Sequence, residues 1–337
     1  MEKKLLSLAI PTYNMEHYLP QCLDSVTRND VPDTLEVIVV NDGSKDKSLE
    51  IAKLYHEKRP DIIKIIDKPN GHYGSCINAA LKIATGKYFR PLDADDWFDT
   101  DALMNLLHSL ETTDVDLIIT PRTERTETHT HIYQLAIQEK SKNDISVLRN
   151  IPFYDLDGVI SMHSMTYRLS LLQNIKLQLQ EGICYTDTEF YLIPFQYSKN
   201  FIYFNLPLYQ YRLGREGQSM EIETFRKNRH HLATVLNKII KKTTPKPGSV
   251  EFTRLEGLLV GYFGCSLFDF PLTIVDKQDL ANLYHTMQRH SPKLWNQVNK
   301  RLFYIPSFCN LTGLNLYFYT KIKNKLGIKN LIFRSQP

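Results

Sequence analysis

From Leu5 to Thr120 short apolar runs alternate with stretches of helical period, and that alternation restricts what the chain can fold into. The runs LLSLAI (5–10), LEVIVV (35–40) and IIKII (62–66) have the length and aliphatic content of strands buried on both faces, and KYFRPL (87–92) reads as a fourth. Between the first two, Tyr18, Leu19, Cys22, Leu23 and Val26 recur at helical spacing. SKDKSLEIAKLYHEK reads as a second helix with Ser44 as its N-cap, and GSCINAALKIAT as a third that Gly86 ends. A strand-helix-strand repeat predicts an α/β fold with a mainly parallel central sheet and right-handed crossovers. Ligands of such a sheet bind beyond the carboxyl ends of its strands.

At 337 residues the chain has room for about two domains. Its 42% hydrophobic and 23% charged residues exclude collagen-like and wholly disordered classes. A helix near 101–110 and a strand near 115–120 extend the alternation, RTERTETHTH reads as a hairpin or insertion, and TTPKPGS (243–249) as a linker. The expected division is a first domain over 1–220 and a helical, basic and aromatic region over 221–337.

Polar clusters fall where the expected strands end. NDGS (41–44) follows the second strand, where Asp42 can accept hydrogen bonds from a nucleobase or ribose or can serve only the turn. LDADDWF (92–98) follows the fourth strand and sets Asp93, Asp95 and Asp96 within four residues. So much like charge calls for screening by water or a cation, and Mg²⁺ or Mn²⁺ typically takes one or two carboxylates together with substrate phosphates. The third cluster, YTDTEF (185–190), carries Asp187 and Glu189 ahead of an apolar-aromatic run, and a carboxylate there can act as a general base. His72 and His163 fit acceptor or metal contacts as well as structural roles. The tract RNIPFYDLDGVISMHSMTYR (149–168), with Asp155 and Asp157, is the expected location of acceptor contacts.

Taken in order, PTYN (11–14), VVNDGSKDKS (39–48), NGHYGSCINAALKIATGKYFRPLDADDW (70–97), YTDTEF and YQYRLGREGQS (209–219) resemble the family-2 inverting glycosyltransferases, nucleotide-diphosphosugar transferases with a Rossmann-like fold of the A type. The resemblance covers about 1–220 and divides it into a nucleotide-sugar side (about 1–120) and an acceptor side (about 121–220). It implies that Tyr13 packs against the nucleobase beside Pro11 and that Asp42 binds it, as uracil of a UDP-sugar. It implies further donor contacts at Asn70, Gly74 and Asp93, and a divalent metal, Mg²⁺ or Mn²⁺, on Asp95 and Asp93 with Asp96 in support. Asp187 becomes the catalytic base, and Arg212 and Arg215 close over the diphosphate. The implied activity is inverting transfer of a sugar to a hydroxyl of a glycan or lipid-linked glycan, as in cell-surface polysaccharide synthesis. Two positions depart from the family's pattern: Thr186 where an acid commonly precedes the base, and Ile77 where an Arg often precedes Asn78. Thr186 is the feature that favours the rival reading, a non-catalytic nucleotide-sugar-binding or partner-binding subunit. A nucleotidyltransferase would need a glycine-rich loop with a basic residue after the first strand, and PTYN carries neither.

Charge divides the chain unevenly. Nine of the 41 Lys and Arg follow Asp279 and no Asp or Glu does, so the preceding chain holds 32 positive against 37 negative charges. A basic tail on an acidic body suggests an anionic partner, and its aromatic-rich stretches (255–270 and 301–334) fit either peripheral contact with the inner face of a membrane or packing, including a homodimer interface. No nucleic-acid reading motif is present. The opening MEKKLLSLAIPTYN is too short in its apolar part for a signal peptide, which gives a cytoplasmic expectation. Five widely spaced cysteines read as reduced thiols.

Overall fold

All seven residues of LEVIVVN are buried, and they form β2 (Leu35–Asn41) between β1 (Leu6–Thr12) and β3 (Ile63–Asp67), both parallel to it. The structure is a computed structural model that describes residues 4–135, 143–144, 160–214, 218, 222–243, 245–264, 266, 274–302 and 306. On the other side of β1 runs β4 (Tyr88–Pro91), again parallel. Helices α1 (Leu19–Thr27), α2 (Ser48–Lys58) and α3 (His72–Ile83) make the crossovers. Helix α1 buries Leu19, Cys22, Leu23, Ser25 and Val26, the stripe its spacing predicts.

Beyond β4 the sheet changes direction. After β5 (Trp97–Phe98) and α4 (Thr100–Leu110) come β6 (Leu117–Ile119), β7 (Arg122–Arg125), β8 (Thr130–Tyr133) and β9 (Asn143–Asp144). A single 3-10 turn (Met162–Ser164) leads into β10 (Met165–Arg168), followed by α5 (Leu169–Asn174), α6 (Asp187–Tyr197), β11 (Asn200–Tyr203) and β12 (Tyr209–Arg212). The central sheet has the order β3-β2-β1-β4-β10-β6-β11-β9, with β10 antiparallel to both neighbours. A second sheet, β5-β12-β7-β8, contains the RTERTETHTH hairpin as β7 and β8.

Two buried polar groups lock the register of β1 against its neighbours. Ser7 donates to Glu36, and the Ser7 hydroxyl accepts from Gly86 N at 2.9 Å. A Cβ at Gly86 would lie 2.6 Å from Ser7 N, so glycine is needed there for close approach of the backbone.

Ser44 does not cap α2. The helix begins four residues later, Ser44 Oγ accepts from Asn14 N at 3.1 Å, and Asp46 Oδ1 accepts from Ser48 N at 3.0 Å. The reason is that the loop's side chains are occupied by the turn after β1: Asp46 Oδ2 also accepts from Glu16 N, Ser48 Oγ from Met15 N, and Asn14 Oδ1 from Lys45 N. Five hydrogen bonds therefore knit together the two loops that follow β1 and β2.

Two compact units divide the chain, residues 1–221 with 248–251, and 222–247 with 252–337. The second contains α7 (Ile222–Lys242), all but the first two residues of α8 (Val250–Gly264), α9 (Ile274–His290) and α10 (Pro292–Arg301). In α8 the apolar run starting at Leu255 turns Leu255, Leu259, Tyr262 and Phe263 inward. Among the described residues no helix is long and apolar enough to cross a membrane. Most of the 301–334 stretch, with Cys265 and Cys309, lies outside the described residues, while Cys22, Cys76 and Cys184 are free thiols.

Candidate active site

Beyond the carboxyl ends of β1, β2 and β4 lies a cleft of about 420 Å³. Pro11, Tyr13, Asp42, Asn70, Asp93 and Asp95, all expected from the sequence, line it, together with His72, Tyr73 and Cys76. Tyr13 is 46% exposed, an aromatic face open to a flat ligand. Turns that enter this region hold non-glycine residues with left-handed backbone, Asn14 at φ 53° and His72 at φ 63°. Such conformations cost of order 1–3 kcal/mol and persist where the surroundings over-determine them, as the knitted loops do for Asn14.

Asp42 is nearly fully buried and fully engaged on one side. Its Oδ1 accepts from Lys68 Nζ and from Gly71 N at 2.9 Å, and its backbone carbonyl accepts from Asn70 Nδ2 at 3.0 Å. Lys68 also donates to Ser75 Oγ at 2.8 Å. A buried carboxylate needs such a partner, and Lys68 supplies it. The sequence reading did not single out Lys68, although it follows the third strand directly and so occupies the same end of the sheet.

The acidic loop splits into two roles. Asp93 and Asp95 line the cleft, whereas Asp96 is buried, accepting from Tyr209 Oη at 2.7 Å and from Arg212 N at 2.7 Å. Burial first, then the charge of Asp95, raises the Asp96 carboxyl well above the usual range, against the pull of those two hydrogen bonds. Tyr209 Oη in turn accepts from Asp93 N at 3.2 Å, so one phenol ties both ends of the turn. Arg212 sends its Nε to the carbonyl of Asp95 at 3.0 Å and its Nη2 to Gln21, with the guanidinium over the rings of Trp97 (4.8 Å) and Tyr18 (5.2 Å). Its observed partners are thus the acidic loop itself and α1. Arg215 lies outside the described residues, as do Asp155 and Asp157.

Donor atoms of Asp93, Asp96 and His163 lie within 4.8 Å of one another. His163 packs against the rings of Tyr211 (4.4 Å) and Tyr209 (4.9 Å), and its Nδ1 is buried with no hydrogen-bond partner. Burial, then the charges of Arg122 and Arg90, pushes this imidazole well below its ordinary value and keeps it neutral, the form that ligates. Both oxygens of Asp96 already accept hydrogen bonds, so the donors that fit a divalent cation are the Asp93 carboxylate and the His163 nitrogen, with Asp95 on the cleft wall. His163 carried no distinguishing spacing in the sequence; the pairing of β10 with β4 brings it to the acidic loop.

Asp187 is the first residue of α6 and partly buried. Tyr73, which lines the cleft, is raised by burial, then by the charge of Asp93, then by that of Asp187, so both carboxylates lie close enough to act on its phenol. Thr186 and Glu189 both turn inward. Thr186 is fully buried, and Glu189 Oε2 accepts from Gln180 N at 3.1 Å. Gly74 is not among the residues lining the cleft; a Cβ there would lie 1.9 Å from Gln180 O and 3.1 Å from Thr186 Oγ1. It lets α3 meet the segment that leads to Asp187. Asn78 secures the same segment, donating to Leu179 O and accepting from Leu179 N.

The profile of a family described as "Glycosyl transferase family 2" matches residues 7–175. A similar curated protein is glycosyltransferase GlyA of Streptococcus pneumoniae serotype 4, 28% identical over 232 residues, which cover 65% of this chain and 32% of that one. Hyaluronan synthase of Pasteurella multocida is 41% identical over 99 residues, 29% of this chain and 10% of that one. The chain thus spans about a third or less of these relatives' lengths. Among solved structures, S. aureus TarS 1–349 is similar over 99% of this chain and 98% of that one, with a TM-score of 0.68 at 17% identity, and has also been solved with UDP-GlcNAc. Mannosyltransferase PcManGT of Pyrobaculum calidifontis, in complex with GDP-Man and Mn²⁺, covers 96% of this chain and 88% of its own at a TM-score of 0.52 and 16% identity. With half of its length matched by the family's profile and the A-type Rossmann-like fold in place, the chain belongs to glycosyl transferase family 2.

Proposed function

We propose that this chain is a metal-dependent inverting glycosyltransferase that moves a sugar from a UDP-sugar to a hydroxyl of a glycan or lipid-linked glycan. One observation carries the reading: a single cleft is lined by the paired Asp42, the open Tyr13, Asp93 and Asp95, and by Tyr73, whose phenol feels the charges of both Asp93 and Asp187. The relative solved with UDP-GlcNAc and the polysaccharide-synthesising relatives, among them a poly(ribitol-phosphate) beta-glucosyltransferase, support the donor and acceptor classes.

Lys68 and Gly71 N hold Asp42 by Oδ1, which leaves its second carboxylate oxygen for the imide N–H of uracil. Tyr13 covers the base. Asp93 and His163, with Asp95, would hold Mg²⁺ or Mn²⁺; the cation supplies positive charge for the leaving diphosphate. Asp96 and Arg212 keep the acidic loop in place. Asp187 takes the proton from the acceptor hydroxyl as that oxygen attacks the anomeric carbon from the face opposite the diphosphate, and a single displacement inverts the configuration. Glu189 is spoken for by Gln180 N, and Thr186 is buried, so the base is Asp187 alone.

Asp187→Asn tests this. Transfer to acceptor falls about 10²–10⁴-fold, the range for loss of a general base, while calorimetric affinity for UDP with Mn²⁺ stays within about twofold. Unchanged turnover in Asp187→Asn removes the assignment; absence of any turnover in the unmodified protein, with UDP bound, favours a nucleotide-sugar-binding subunit.

A further inference from the structure

Among its described residues the second unit exposes charge of one sign. Among the described residues between 224 and 302 no acidic side chain is exposed, whereas Lys227, Lys241, Lys242, Lys277, Lys293 and Lys300 are. The acids with described side chains are turned inward: Asp276 is buried against Arg229, Glu256 is buried beside Arg301 at 3.4 Å, and Asp279 is half-buried. The first unit differs, with exposed Asp24, Asp33, Glu57, Asp61, Asp101 and Glu111 interspersed among its exposed lysines.

Helix stability accounts for only part of this. Lys241, Lys242 and Lys300 lie in last turns, where the macrodipole favours a cation by about 0.3–1 kcal/mol each. Lys277 and Lys293 lie within the first four residues of α9 and α10, the end where the same dipole disfavours them. Solubility does not require one sign either, since mixed charges serve it and a single-sign field adds self-repulsion. The unit's described residues show no apolar stripe: the exposed large hydrophobics among them reduce to Val275. An interfacial membrane helix needs such a stripe. A cationic surface without one fits a hydrated polyanion, whose closely spaced charges release counterions on binding.

We propose that the second unit is a docking surface for a polyanionic acceptor, a glycan chain bearing phosphodiester or carboxylate groups. The proposal rests on the transferase reading above and adds the acceptor's charge. It lets a small transferase retain a long acceptor by many weak contacts while one hydroxyl at a time reacts.

The full-length protein is tested by biolayer interferometry against immobilised long-chain inorganic polyphosphate, neutral dextran, and vesicles of 30% phosphatidylglycerol in phosphatidylcholine, at 50 and 200 mM NaCl. Polyphosphate binds, dextran does not, and affinity falls at least about tenfold between the two salt concentrations. Lys241→Gln/Lys242→Gln/Lys277→Gln/Lys293→Gln weakens polyphosphate binding by at least about tenfold. UDP affinity, measured by calorimetry on the same variant, is unchanged, and that readout separates failure of the docking surface from failure of the transferase site. Equal binding of dextran, full retention of polyphosphate by the quadruple variant, or tighter binding to the vesicles than to polyphosphate at equal anionic charge each overturns the proposal, the last in favour of a lipid surface.

Discussion

Glu36 is a carboxylate near the start of β2 with its side chain wholly out of solvent. Burial raises it, but hydrogen bonds from Lys64, Ser7 and the Thr85 amide and hydroxyl together outweigh burial and hold it below its ordinary value. A depressed folded-state pKa means that its contribution is present above the unfolded value, near 4.5, and is lost as the pH falls through the folded one. Glu36→Gln therefore loses stability at pH 7, by about 1–3 kcal/mol for the donors left with a weaker acceptor, and loses less between pH 6 and pH 3.5 than the parent. Urea unfolding at the three pH values reads both effects; a parallel pH dependence in the two proteins sinks the argument. Gly74 is the other residue whose role only the structure gives. Gly74→Ala drives a methyl toward the Gln180 carbonyl, and a loss of about 1–3 kcal/mol in urea unfolding is expected; an unchanged midpoint would show that this segment yields freely. The polar residues of the cleft were legible from the sequence because their motifs end strands. Lys68 was not, since it works through an ion pair, and His163, although a candidate from the sequence, could not be placed at the acidic loop because strand pairing across about 70 residues brings it there.

At the scale of elements the alternation of runs and helices was readable because strands of a parallel sheet are buried on both faces and so show as continuous apolar runs. Helix α2 was the exception at its start: Asp46, not Ser44, supplies the acceptor for Ser48 N, since the sequence cannot say which of several cap-competent residues a neighbouring loop has already claimed. The reversed strand β10 was likewise invisible, because TYR and its flanks carry no directional signal. Yet β10 pairs with β4, the strand that leads into the acidic loop, and β12 holds that loop by hydrogen bonds. Strand β12 offers Tyr209 to Asp96 and Asp93 and Arg212 to Asp96 and Asp95, and pairs with β5 just after the loop. Tyr209→Phe keeps the ring packing on Phe98 (5.7 Å) and His163 but removes the phenol. Burial pushes that phenol well up, then the charges of Asp93 and Asp96, so it stays protonated and donates to Asp96 throughout the neutral range. Its loss leaves the buried Asp96 oxygen short of a donor at about 1–3 kcal/mol, and calorimetric affinity for UDP with Mn²⁺ falls about tenfold or more while affinity for UDP in EDTA changes little. Equal weakening with and without Mn²⁺ would assign Tyr209 to the whole cleft and not to the acidic loop.

The whole molecule carries two tryptophans, and each unit contains one. Trp97 follows the acidic loop and lies under the Arg212 guanidinium, while Trp295 packs edge-on against Tyr284 at 4.2 Å within the helical unit. The two units therefore report separately once one indole is removed. In Trp295→Phe the remaining Trp97 emission should shift on addition of UDP and Mn²⁺, because Asp95, two residues away, lines the cleft proposed to take them. In Trp97→Phe the remaining Trp295 emission should stay constant under the same titration. Unfolding followed by the same two indoles carries the argument further. A ligand that binds only the folded first unit stabilises it by about 2.7 kcal/mol at a hundred times its dissociation constant, so the Trp97 transition moves to higher urea. If folding of the helical unit is independent, the Trp295 transition does not move, and that is the outcome expected of a unit with its own buried core of Leu236, Leu255, Leu259, Leu283 and Leu294. Equal displacement of both transitions would mean that the chain unfolds as one cooperative body, and the polyanion surface and the donor cleft would then be coupled in stability as well as carried on one chain.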